Sequence, residues 1–132
     1  MQSKHPLARA FIEAELIELG FDFSKLGSHY IADVIMMGWE RGEDFLNEPL
    51  TKVILPEVAQ LRHTRAERAE RTMRYAIEDA WLHGDPERQA EFFPRELGDT
   101  GRPTISQFYQ NFARRAFPRL RKLLTCATES AR

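Results

Sequence analysis

The stretch T-R-A-E-R-A-E-R-T-M-R-Y-A-I-E-D-A-W, Thr64 to Trp81, decides the fold class. Ala66, Ala69, Met73, Ala76, Ile77, Ala80 and Trp81 recur three and four residues apart, which places them on one apolar stripe of a helix. Thr64 with Glu67 three residues later has the spacing of a capping box and predicts that the helix starts at Thr64. Gly84 supplies its stop. Opposite the stripe, Arg65, Arg68, Arg71 and Arg74 recur every third residue, interleaved with Glu67 and Glu70. Over residues 62–74, five arginines against two glutamates leave a local charge of +3 with His63 neutral.

Helical periodicity continues in both directions from this segment. Upstream, Pro6 suits a first helical position, and Leu7, Ala10, Phe11, Ala14 and Ile17 follow at helical spacing until Gly20. Tyr30, Ile31, Val34, Ile35 and Trp39 form a second run that Gly42 stops. Leu50, Val53 and Ile54 continue the spacing, and Pro56 predicts a restart with itself at the first position. Downstream, Asp85 and Pro86 read as cap and first position of a short helix ending in Phe92 and Phe93, and residues 94–103 read as a loop. Thr104 with Gln107 is a second capping box, opening a helix whose Ile105, Phe108 and Phe112 share one face until Pro118. No segment alternates with period two. The expectation is an all-α, compact bundle of about six helices containing a helix-turn-helix. It forms one domain, with a core over about 6–117 and a polar, basic tail over 118–132.

Composition narrows the function classes. A chain of 132 residues suffices for one core, and 42% hydrophobic with 30% charged residues is the balance of a water-soluble protein. No apolar run reaches the length of a membrane span, and Met1 to Arg9 lack a signal cleavage pattern, so a cytoplasmic protein is expected. The single Cys126 forms no internal disulfide and has no His or Cys nearby for a metal site. His5, His29, His63 and His83 lie in different elements, which gives no acid–base pair, so neither catalytic residues nor cofactors are expected. The net charge of -1 carries no nucleic-acid signature, and any such function rests on local charge.

Local charge is where the Thr64 helix stands out. With the Pro56 helix and a tight turn before it, it has the pattern of a helix-turn-helix whose second helix enters the DNA major groove. Arginine presents a planar fork to guanine O6 and N7, and glutamate accepts from cytosine N4, so an Arg/Glu mixture suits base reading. The competing reading is a solvated face laced by Glu67–Arg71 and Glu70–Arg74 pairs. A second cluster, Arg114, Arg115, Arg119, Arg121 and Lys122, suits phosphate or dimer contact, or else a basic tail. Trp39, Trp81, Phe92, Phe93, Phe108 and Phe112 sit at core-facing spacings and read as packing.

The segment K-V-I-L-P-E-V-A-Q-L-R-H-T-R-A-E-R-A-E-R-T-M-R-Y-A-I-E-D-A-W, Lys52 to Trp81, resembles the C-terminal effector domain of the stage-zero sporulation master regulator of endospore-forming bacteria. The resemblance rests on Thr51-Lys52-Val53, Pro56, the Arg68-Ala69-Glu70-Arg71 core, Arg74, and Ala76-Ile77-Glu78 leading to Ala80-Trp81. It extends more weakly over about residues 12 to 117, through Ile17 to Gly20, the Tyr30 helix and Arg102-Pro103-Thr104. It implies a six-helix fold that binds double-stranded promoter DNA, with a homodimer on tandem sites and RNA polymerase as partners. By position it implies base reading by Arg68, Glu70 and Arg71, with Thr64, His63, Arg65 and Arg74 at the backbone or groove edge. Glu67 stands where the family has a small hydroxyl residue, and Leu61–Arg62 reverses its basic-then-aromatic order, which changes what packs beneath the turn. No strand–Asp pattern of the family's phosphorylated receiver domain is present, so an excised effector half or a stand-alone relative is expected. The rival reading is a protein-interaction module of the same fold, an antagonist of a full-length regulator.

Overall fold

The computed structural model describes residues 5–42, 50–93 and 101–130. Among them are six α-helices and no strand: α1 Pro6–Leu19, α2 Leu26–Arg41, α3 Leu55–Leu61, α4 Ala66–His83, α5 Pro86–Phe92 and α6 Ile105–Ser130. A π-helical turn, Leu50–Ile54, runs directly into α3. The all-α expectation holds, and most of the residues expected to form the loop of 94–103 lie outside the described residues.

Local chemistry explains most of the boundaries. At α1, Pro6 takes an N-terminal position, and Gly20 closes the helix at φ 113, a left-handed conformation in which its N–H bonds to the Ile17 carbonyl. Asp85 caps α5 through its carboxylate, which accepts from the Glu87 N–H at 3.0 Å. The capping box at α6 forms as expected. The Gln107 N–H donates to the Thr104 hydroxyl at 3.1 Å, and the Thr104 N–H donates to Gln107 Oε1 at 2.9 Å.

Four sequence expectations require correction. On α1 the buried face is Ala8, Ile12, Leu16 and Leu19, while Leu7 and Ile17 are 49% and 56% exposed. This helix carries apolar residues at helical spacing on two faces, and periodicity alone does not say which one meets the core. Pro56 occupies the second position of α3, one residue later than expected, because Ile54 is already helical and the π turn leads in without a break. Helix α4 starts at Ala66 rather than Thr64, for a reason that lies in the turn before it. Finally, α6 does not end at Pro118 but continues to Ser130. A proline inside a helix costs about 3 kcal/mol or more. Its neighbours Phe117 and Leu120 are buried, and each such side chain returns about 1.5–3 kcal/mol. The helix therefore survives its proline, and the Arg119–Lys122 segment, expected as a tail, is helical.

The bundle closes around α2 and α4. Gly27 on α2 sits where an added Cβ would lie 2.4 Å from the Thr72 carbonyl oxygen and 2.8 Å from the Ala76 Cβ, so only glycine lets the two helices approach this closely. At the other end an aromatic cluster fills the space between α4, α5 and α6. Trp81 meets Phe93 edge-on at 5.0 Å, Phe93 stacks on Phe108 at 5.2 Å, and Phe112 stacks on Phe92 at 5.6 Å. Trp39 packs edge-on against Phe117 at 5.5 Å. The aromatics are core residues, as their spacing implied. No described helix is long and apolar enough to cross a membrane.

Buried Gln89 ties three helix ends together. Its side-chain amide donates to the Leu19 carbonyl at 3.0 Å and to the Ala80 carbonyl at 2.9 Å, both in the C-terminal turns of α1 and α4. The last carbonyls of a helix lack an intrahelical donor and are costly to bury bare, and at Ala80 the Gln89 amide shares the acceptor with the Gly84 N–H at 2.7 Å. Gln89→Leu is therefore expected to lower stability by about 1–3 kcal/mol, read as a reduced urea midpoint with an unchanged slope.

Candidate nucleic-acid interface

Helices α3 and α4 are joined by four residues and pack on one another. The turn is set by hydrogen bonding around His63, whose φ of 56° is the one left-handed non-glycine conformation among the described residues. The Thr64 N–H donates to the Ala59 carbonyl at 2.9 Å, and the His63 N–H donates to the Gln60 carbonyl at 3.2 Å. These are the two bonds of a Schellman motif, with Arg62 as C-cap and His63 in the position usually given to glycine. Thr64 is thus consumed in closing α3. The N-cap of α4 passes to Arg65, extended at φ -91, ψ 150, and the expected Thr64–Glu67 capping box does not form. Glu67 instead lies in the first turn of α4, where a carboxylate favours the positive end of the helix dipole.

On α4, Ala69, Met73, Ala76, Ile77 and Ala80 are buried, and the charged face is turned outward. Arg65, Arg68, Arg71 and Arg74 are all exposed, as are His63 and Glu67, while Thr64 and Glu70 are half-buried. Of the two pairs that a merely solvated face would show, Glu70–Arg74 forms at 3.4 Å and Glu67–Arg71 does not. Among the described residues Arg65, Arg68 and Arg71 make no ion pair, so three guanidinium forks are presented without an internal acceptor. Tyr75, 60% exposed, follows Arg71 one turn on.

Arg62, which the sequence count had included in the local charge, belongs to the interior. Its Nε and Nη2 donate to the Asp33 carboxylate at 2.6 and 3.0 Å, and its guanidinium lies 5.9 Å from the Tyr30 ring centroid. Asp33, with a side chain 1% exposed, also accepts from Arg9 Nη1 at 2.8 Å. One carboxylate on α2 therefore holds an arginine from α1 and another from the turn below α4. The hydrogen bond to Asp33 raises the pKa of Arg62 further, and its charge is fixed at any working pH. Sequence reasoning missed this pair; Asp33 within an apolar stretch of α2 was the signal that a partner had to exist.

The second basic cluster is partly engaged as well. Arg119 Nη1 lies 3.2 Å from Glu15 and its guanidinium 5.8 Å from the Phe11 ring. Arg115 lies 3.9 Å from Glu91 and 5.4 Å from the Phe92 ring. Arg88 joins the same network through Glu18, Glu91 and Glu15, and these carboxylates together raise its pKa against the effect of burial. Arg114 is exposed and makes no ion pair among the described residues. Among those residues no group of His, Cys, Asp and Glu side chains is placed to hold a metal.

A turn that delivers an exposed Arg/Glu helix from a closed helical body is the geometry against which family likeness is to be judged. The profile of the sporulation initiation factor Spo0A C-terminal domain matches residues 12–116, which includes α2 to α5, the turn and most of α1. The chain belongs to that family. Membership makes it a DNA-binding effector domain of a sporulation regulator. The whole of the exposed arginine face lies inside the matched span, whereas α6 runs on beyond its end.

The turn makes a claim that stability measurements test. A β-branched side chain at φ 56 is strained where glycine is not. His63→Val is expected to be about 1–3 kcal/mol less stable than His63→Gly in urea melts, with helicity retained in both.

Proposed function

We propose that this domain reads double-stranded DNA sequence-specifically, with α4 in the major groove. The observation that carries the proposal is that Arg65, Arg68 and Arg71, at the start of α4 and along it, are exposed and make no ion pair among the described residues, in a chain whose net charge is only -1. Among the described residues Arg65, Arg68 and Arg71 form one row of such guanidinium forks, and Arg114 and Arg121 on α6 are also exposed without an ion pair, but the α4 row is the one interleaved with Glu67 and Glu70. In this reading Arg68, Glu70 and Arg71 meet base edges, Arg and Glu being matched to guanine and cytosine. Thr64, His63, Arg65 and Arg74 lie toward the backbone or groove edge, the first three beside the N-terminus of α4, which has no side-chain cap and where helix amides favour phosphate, and Arg74 midway along the helix. Of Arg114, Arg115 and Arg119, Arg114 is best placed to meet phosphate or a second copy, because Arg115 and Arg119 are drawn to Glu91 and Glu15. Transcription regulation through such a site places the protein in the cytoplasm with the chromosome, as a homodimer on tandem sites beside RNA polymerase.

Fluorescence anisotropy with duplexes carrying a family-like site and a scrambled control, over a salt series, tests this directly. Preference for the site is the expected result. Equal, steeply salt-dependent binding to both leaves phosphate attraction alone. Binding to neither, with a complex formed on a full-length regulator instead, establishes the interaction-module reading. Arg68→Ala is expected to cost about 1–3 kcal/mol on the preferred site and to relax the base choice there. Arg65→Ala is expected to weaken binding to both duplexes alike and to reduce the salt slope by about one.

A further inference from the structure

The forked pair between Asp33 and Arg62 ties the turn before the reading helix to the buried face of α2, and it rests on residues outside the DNA-facing set. We propose that Asp33 and Arg62 are positioning residues that fix the tilt of α4, and with it the base-reading geometry of Arg68 and Arg71. The inference builds on the DNA-reading function above.

Three observations carry it. Helix α4 is mounted at its middle by the Gly27 contact, which brings the α2 backbone against Thr72 and Ala76. Its N-terminal end is held by less: Ala66 packs only partly buried against the core. Ala69 is its first fully buried residue, and Arg65 and Glu67 are exposed. What holds that end is the turn, and the turn is held by Arg62, whose N–H bonds to the Val58 carbonyl while its side chain forks onto Asp33. Asp33 itself is immobilised by its burial on α2, its side chain being 1% exposed.

The lever arm makes the pair matter. From Thr72 to Arg68 is four residues, about 6 Å of helix, so a tilt of about 5° about the Gly27 contact moves the Arg68 backbone by roughly 0.5 Å and that of Arg71, next to the pivot, by less. Bidentate hydrogen bonds tolerate only a few tenths of an ångström around 2.9 Å. Phosphate attraction, set by charge at longer range, tolerates such a shift. Loss of the fork is therefore a loss of discrimination before it is a loss of affinity. Arg9 provides an internal comparison, since it bonds to the same carboxylate but lies on α1 and does not touch the turn.

The experiment compares Arg62→Met, Arg62→Lys and Arg9→Met with the parent protein. Arg62 is half-exposed at the end of α3, so its aliphatic replacement leaves the buried core intact. Two readouts are taken: the ratio of affinities for site and scrambled duplex at one salt concentration, and amide hydrogen exchange along α4. Arg62→Met is expected to lower the ratio by about tenfold, the equivalent of one weakened bidentate contact, with affinity for the scrambled duplex held within about twofold. Exchange is expected to speed up at residues 69–72, whose amides are the first of α4 to be hydrogen-bonded, and to stay unchanged at residues 76–82. Arg62→Lys keeps the charge but not the fork and is expected to fall between parent and Arg62→Met. Arg9→Met is expected to change neither readout. An unchanged ratio and exchange pattern in folded Arg62→Met overturns the proposal, and so does an equal change in Arg9→Met. If the parent protein itself shows no site preference, the DNA-reading function fails, and the exchange pattern alone still decides whether the fork fixes α4.

Discussion

The contact of Gly27 with the α4 backbone is the constraint around which the bundle is arranged. Because a Cβ at residue 27 would overlap the Thr72 carbonyl, α2 and α4 meet backbone to backbone, and the small residues Ala69, Ala76 and Ala80 line the buried side of α4. A helix held this closely along one side has only its opposite side to offer to solvent, and that side carries Arg65, Arg68, Arg71 and Arg74. The same closeness leaves little room for large side chains near the contact. Bulk moves to the far end of the molecule, where Trp81, Phe92, Phe93, Phe108 and Phe112 pack face and edge.

Charge is divided between two uses that composition does not separate. Arg62, Arg88, Arg115 and Arg119 face carboxylates on neighbouring helices, and their work is to register helices against one another. Exposed members of such networks are worth little individually, whereas the buried Asp33 carboxylate requires its partners, because a buried charge left alone is expensive. Arg65, Arg68 and Arg71 have no such obligation among the described residues. In an Arg-rich protein of nearly neutral net charge, the arginines that no carboxylate holds among the described residues, Arg114 and Arg121 on α6 included, show a local charge that the total hides.

The turn between α3 and α4 shows how two local rules compete. Thr64 and Glu67 have the spacing of a capping box, yet a Schellman closure with left-handed His63 uses the Thr64 amide first and moves the N-cap of α4 one residue on, to Arg65. The capping box at Thr104 has no helix immediately before it among the described residues and forms as its spacing implies. Capping signals are therefore read most safely where no preceding helix has to end on the same residues.

The sequence by itself determined the helical class, the α4 stripe and its outward arginines, the Asp85 and Thr104 caps, and membership in the sporulation-regulator effector family. All of these rest on interactions within a turn or two of chain, or on a motif kept in one segment. Only the tertiary structure decided which apolar face of α1 is buried, that α6 passes through Pro118, and that Arg62 turns inward to Asp33, 29 residues away. Periodicity shows that a face is apolar without showing what it faces. A proline penalty is offset by burial that depends on distant helices. A buried carboxylate announces that it needs a cation, but its choice among nineteen lysines and arginines is made by the packing of three helices.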